Sequence, residues 1–175
     1  MDRWRALTAL PDAVIVPLIE TALACRARRL ASASPRVERL AFGALDLALD
    51  LAMAPGADDV ELLPIRVALV LASCVAGVQP PIDGVTVDIT DTTRLRAASA
   101  AAQRLGFEGK LAVHPTQIPI IRSAFASSQD EVAWARRVVA AFDTASTCVV
   151  SVDGMMVDRP VVERARHIVR VASEV

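Results

Sequence analysis

The stretch VIVPLIETALACRARRLASA, residues 14–33, decides the fold class. Residues 14–19 form a short apolar run with β-branched side chains, and residues 21–33 are rich in Ala and Arg, which favour helix. A strand feeding a helix is the simplest reading. The same alternation continues outward: strand at 37–42, helix at 59–76, strand at 85–89, helix over Thr92–Leu105, strand at 111–113, helix at 116–125. The strands are apolar throughout rather than alternating, so four consecutive βα units predict a parallel sheet covered by helices. Gly43, Gly77, Pro80, Pro81, Gly106 and Gly109 punctuate the element ends.

Beyond residue 125 the pattern changes. Ser128 and Glu131 have the spacing of a capping box for a helix running to about Ala145. Residues 148–158 read as two short extended pieces around Asp153-Gly154, and a last helix runs from Pro160 to about Ala172. The expected organisation is an α/β body over residues 1–126 and a helical extension over 127–175.

Composition narrows the function classes. The chain has 175 residues, 54% hydrophobic and only 3% aromatic, so its core must be built from Ala, Val, Leu and Ile. A formal net charge of -1 supplies no electrostatic footprint for nucleic acid. Cys25, Cys74 and Cys148 are odd in number and widely spaced, which suits reduced thiols in a cytoplasmic protein. The longest apolar run, residues 67–78, falls short of the ~20 residues that cross a bilayer and reads as a buried helix. The opening Met1-Asp2-Arg3-Trp4-Arg5 leads into no apolar segment of the export type.

In parallel α/β folds, working residues gather at the C-terminal ends of strands. That position yields Glu20, Asp46, Asp88 and His114, three carboxylates and one imidazole expected around a common mouth. Two carboxylates from adjacent strand ends suit Mg2+, which takes oxygen ligands and keeps several waters. Glu20 and Asp46 equally suit helix-start carboxylates with a capping role. His114, followed by Pro115, reads as a turn residue, and His167 as a solvated one. Lys110, the single lysine, lies at a strand start away from the mouth, which argues against a Schiff-base role. Arg26, Arg28 and Arg29 read as a solvated helix face with the option of meeting a phosphate.

Several motifs carry a resemblance. Leu18-Ile19-Glu20-Thr21-Ala22, Phe42-Gly43-Ala44-Leu45-Asp46-Leu47, Ile82-Asp83-Gly84-Val85 with Asp88-Ile89, residues 106–118 around His114-Pro115, and Met155-Met156-Val157-Asp158-Arg159-Pro160 occur in this order. Together they resemble the HpcH/HpaI aldolase and citrate lyase beta subunit family, including malyl-CoA lyases. The resemblance implies a (β/α)8 TIM barrel, of which this chain matches about four C-terminal βα units plus the extension. It implies Mg2+ held by Glu20 and Asp46, and Asp158 as an acid/base reaching the active site of a neighbouring subunit. It also implies an acyl-CoA or acyl-carrier thioester substrate and carbon–carbon lyase activity of the citryl-CoA or malyl-CoA class.

Two departures stand out. Leu45 occupies a position where many members have Glu, and the first four βα units, with the Arg that clamps a substrate carboxylate, have no counterpart; Arg3 and Arg5 do not match that Arg. A half barrel would leave two strand edges and an apolar inner surface to cover. The expectation is therefore a homo-oligomer, or a partner supplying the other half barrel. The alternative function is a non-catalytic remnant or assembly subunit of such a lyase.

Overall fold

In the computed structural model, residues 12–145 and 147–173 are described. Arg3, Arg5 and the segment read for an export signal lie outside them. The chain divides into two compact units, Met1–Phe125 and Ala126–Val175.

The first unit is an α/β fold around a parallel sheet in the order β1 (Leu18–Ile19), β2 (Ala41–Phe42), β3 (Ile82–Asp83) and β4 (Gly109–Lys110). Leu18 pairs with Ala41, Ala41 with Ile82, and Ile82 with Gly109. Upstream, Ile15 and Val37 make one more parallel bridge. Pro17 interrupts β1 because it has no N–H to donate, although its carbonyl still accepts from Ala41 N at 2.9 Å.

The helix expected over 21–33 is broken. A 3-10 turn over Ala22–Cys25 is capped by the Thr21 hydroxyl, and Arg26 at ψ 41° separates it from α1 (Ala27–Ala31). The Ala22 N–H is drawn to Asp50 Oδ2 at 2.7 Å, which ties this turn to the end of the next helix. That helix, α2 (Ala44–Asp50), is an addition to the expected series. The expected 59–76 helix divides into a 3-10 turn at Val60–Leu62 and α3 (Leu63–Ala76), which ends on Gly77 at φ 69°. Gly77 takes the left-handed conformation that an L side chain resists. α4 (Thr92–Leu105) has the expected bounds and is capped by Asp91. A 3-10 turn at Pro115–Gln117 leads into α5 (Ile118–Phe125).

Two strands lie upstream of their expected places. β3 occupies residues 82–83, not 85–89, and β4 occupies 109–110, not 111–113. The apolar 85–89 segment forms no ladder because the buried Gln117 side chain takes its carbonyls. Gln117 Nε2 donates to Thr86 O at 2.9 Å, and Gln117 Oε1 accepts from Val113 N at 3.0 Å.

Ile19, Leu40, Phe42, Leu47, Leu62, Leu69 and Phe107 are buried between sheet and helices. Val14, Val16 and Leu18 alternate with the buried Ile15 and Ile19 and are exposed, as the two-residue period of a strand requires. One sheet face is therefore apolar and uncovered at β1.

The second unit holds α6 (Gln129–Asp143), the hairpin β5 (Val150–Val152) with β6 (Met155–Val157), and α7 (Arg159–Ser173). Its capping box forms as expected: Ser128 Oγ accepts from Glu131 N, and Glu131 accepts from Ser128 N. Asp153 at φ 53° and Gly154 at φ 77° make the tight turn that two-residue hairpins favour. Ala135, Val138, Val152, Val157, Val162 and Ala165 form its core.

Candidate active site

Glu20 follows β1 directly, and Asp46 lies in the first turn of α2, four residues after β2. β1 and β2 are neighbours and parallel, so both carboxylates stand at the same end of the sheet. Gly43 makes this arrangement possible. A Cβ there would lie 2.5 Å from Glu20 Cβ, closer than Cβ atoms approach a neighbour, and a tight 3.2 Å from Glu20 Cα. Gly84 does the same service at the next strand end, where a Cβ would lie 2.9 Å from Ala44 Cβ.

Neither carboxylate makes a capping hydrogen bond, although Asp46 does stand in the first turn of α2, where the helix dipole favours an acid. Thr21, not Glu20, caps the turn after β1, accepting from Ala24 N at 3.2 Å. Gly43, not Asp46, is the N-cap of α2, without a side-chain bond. Among the described residues neither Glu20 nor Asp46 has a hydrogen bond or an ion pair. Asp46 is exposed and Glu20 half-buried. Two ionisable carboxylates without partners, at adjacent strand ends, are free to bind something else.

Asp88 and His114 do not join them. Asp88 Oδ1 accepts from Thr90 N at 2.8 Å, Thr90 Oγ1 at 2.8 Å and Asp91 N at 3.0 Å. The Thr90 hydroxyl, then the backbone N–H groups of Asp91 and Thr90, hold its carboxyl below the ordinary Asp value. His114 Nδ1 accepts from Thr116 N at 3.3 Å and meets Thr116 Oγ1 at 2.8 Å. Both side chains serve their own loops. Among the described residues no three His, Cys, Asp or Glu converge to hold a metal ion, so the expected four-residue mouth reduces to the Glu20 and Asp46 pair.

A second charged group was not anticipated. Asp83, on β3, is buried and accepts from Arg66 Nε at 2.8 Å and Lys110 Nζ at 2.9 Å. Lys110 Nζ also donates to Gly84 O at 2.7 Å, and the Arg66 guanidinium lies 5.4 Å from the Phe42 ring centre. The lysine is thus a buried cross-brace between β3 and β4, consistent with the reading that it forms no Schiff base. The sequence holds a signal for this group: Arg66 is the one charged residue in α3, and Asp83 stands in an apolar strand.

A cleft of about 760 Å3 opens along α2 and α4, and neither Glu20 nor Asp46 lines it. Leu45, Ala48 and Leu49 form one wall and Ala97, Ala98 and Ala101 the other, with Arg66, Asp83 and Arg94 adding charge. Asp158 belongs to the second unit, between β6 and α7. It is half-buried and accepts from Val161 N at only 3.4 Å, a loose cap that leaves its other oxygen open.

A parallel sheet covered by helices, with side chains presented at the strand ends, is the architecture of a broad class of α/β proteins that carry their working residues there. The HpcH/HpaI aldolase/citrate lyase family model matches residues 4–115, and the chain belongs to that family. It is 38% identical over 144 residues to the citrate lyase subunit beta of Escherichia coli K12, covering 81% of this chain and 47% of that protein. It is 34% identical over 166 residues to the citrate lyase subunit beta-like protein of Mycobacterium tuberculosis, covering 91% and 60%. The crystal structure of CitE from Mycobacterium tuberculosis in complex with magnesium, acetoacetate and coenzyme A matches with a TM-score of 0.80 and 29% identity, covering 98% of this chain and 74% of that one. The chain spans about half the length of the E. coli relative. No helix among the described residues is long and apolar enough to cross a membrane.

Proposed function

We propose that this chain forms half of the (β/α)8 barrel of a carbon–carbon lyase that cleaves a 3-hydroxyacyl thioester of the citryl-CoA or malyl-CoA class. The observation that carries this reading is the pair of partner-free carboxylates, Glu20 and Asp46, after neighbouring parallel strands. Mg2+ is commonly held by one or two carboxylates plus waters and substrate oxygens, so the pair fits it without a third protein ligand. The magnesium complex of the similar CitE structure supports the same ion. When bound, the ion supplies Lewis-acid polarisation of an oxoacid carbonyl.

The chain's own residues supply the rest. Glu20 and Asp46 fix where the oxoacid end lies. In the cleavage direction the substrate hydroxyl gives its proton to the Asp158 carboxylate of a second copy, the bond between its C2 and C3 breaks, and a carbonyl forms on the oxoacid. The electron pair passes to the thioester enolate, which takes a proton at carbon from the Asp158 carboxyl of a second copy. The uncovered apolar residues Val14, Val16 and Leu18 and the edge strands β1 and β4 call for the other half of the barrel, from another copy or a separate partner.

Leu45, exposed beside Asp46 where the family pattern has an acid, favours a second reading as an assembly subunit without turnover. Oxoacid release from malyl-CoA or citryl-CoA with Mg2+ separates the two. Release that Glu20→Gln abolishes supports the lyase, intact Mg2+ binding without release supports the assembly subunit, and loss of both rejects the site.

A further inference from the structure

Glu20 is bracketed by two hydrogen bonds to the segment that carries Asp46. On one side of it, Gly43 N donates to Ile19 O at 2.9 Å. On the other, Ala22 N donates to Asp50 Oδ2 at 2.7 Å. The first bond continues the β1–β2 ladder and belongs to the sheet. The second lies beyond the strands, between two exposed residues, and fixes the stretch after Glu20 against the far end of α2.

Local chemistry explains the second bond. Ala22 opens a 3-10 turn, where the first N–H groups have no partner within the helix. A carboxylate that takes up such a donor makes a short, charge-assisted bond. Asp50 is the last residue of α2, four positions after Asp46, so the two side chains share one face of that helix. Asp50 is not a third ligand beside the pair, since among the described residues no three His, Cys, Asp or Glu converge to hold an ion.

We propose that Asp50 is a positioning residue for the carboxylate pair: its bond to Ala22 N holds the backbone after Glu20 to α2, and so sets the separation of the Glu20 and Asp46 carboxylates. The inference rests on the reading of that pair as a Mg2+ site. Mg2+ demands near-ideal octahedral geometry, so its affinity responds to a small change in that separation. A ligand role or a bare charge effect would need the Asp50 carboxylate alone, whereas positioning needs the Ala22 N–H as well.

The two ends of the bond can be removed separately. Asp50→Ala deletes the acceptor. Ala22→Pro deletes the donor at a first-turn position that proline suits, after a Thr21 whose φ of -140° and ψ of 156° are those of a residue before proline. Amide exchange of Ala22 in the metal-free full chain reads the bond, and calorimetric titration of Mg2+ reads its consequence. Protection of the Ala22 amide should be lost in Asp50→Ala. Mg2+ affinity should fall roughly tenfold in each single variant, as for other residues that orient metal ligands, and the double variant should lose no more than either one.

Full affinity in Ala22→Pro, additive losses in the double variant, or an Ala22 amide that Asp50→Ala leaves unchanged overturns the proposal. A wild type without Mg2+ binding, or Glu20→Gln that binds like the wild type, overturns the metal reading and this inference together. Weakened binding in Glu20→Gln beside full affinity in Asp50→Ala overturns this inference alone. If either variant loses its circular dichroism, Asp50→Asn decides, because it keeps an oxygen for the N–H but no charge. Affinity nearer the wild type than Glu20→Gln then supports positioning, and affinity nearer Glu20→Gln rejects it.

Discussion

Two groups of acidic side chains sit at successive strand ends of one sheet and are treated in opposite ways. Asp83 is buried, holds Arg66 and Lys110 within 2.9 Å, and ties β3 to β4 and α3. Glu20, half-buried, and Asp46, exposed, stand after β1 and β2, and neither side chain has a partner among the described residues. A buried charge is tolerable only when it is matched, so Asp83 is committed to stability. A pair in contact with water keeps its hydration, so it needs no matching cation, and it retains its lone pairs for a ligand.

Substitutions can break that contrast from either side. Asp83→Ala leaves the buried Lys110 without a carboxylate and Arg66 with only its longer 3.7 Å pair to Asp59, and should cost about 3–5 kcal/mol, read as a lowered midpoint in urea. Gly43→Ala forces a methyl against the Glu20 stem; it should cost about 1–3 kcal/mol and weaken Mg2+ binding as well, a double effect that Asp83→Ala at matched stability should lack. Glu20→Gln and Asp46→Asn should change stability by no more than about 0.5 kcal/mol, as surface substitutions do, while removing metal affinity. If either proved strongly destabilising in urea, its carboxylate would be structural.

The smallest effect concerns pH. The Asp88 carboxyl is held below its ordinary value by the Thr90 hydroxyl and nearby N–H groups. A folded-state value below the unfolded one means that its contribution is complete above roughly pH 4. It is lost as pH falls through the lower folded value. Acid melts of wild type and Asp88→Asn should therefore differ near neutrality and converge at low pH; a gap that widens on acidification would reverse the sign.

How legible this was in the sequence depended on the range of the forces involved. α4 and α6 could be located closely because their ends are set by local chemistry, Asp91 and Gly106 for one and the Ser128 and Glu131 box for the other. β3 and β4 could not, since residues 85–89 look like a strand until Gln117, about thirty residues on, takes their carbonyls. The Asp83 group is half legible for the same reason: Arg66 and Asp83 stand out as charges in apolar segments, but nothing local pairs residues 17 and 27 apart. The strand-end rule picked out Glu20 and Asp46 together with Asp88 and His114, and only the side-chain bonds to Thr90 and Thr116 tell the two pairs apart.

Calorimetric titration of Mg2+ into the full chain, its Glu20→Gln and Asp46→Asn variants, and the Lys110→Met variant decides whether the free pair is the metal site. Saturable binding by the wild type that weakens at least tenfold in both carboxylate variants and persists in Lys110→Met is the expected result. Absence of saturable binding, or binding that both carboxylate variants retain, contradicts it.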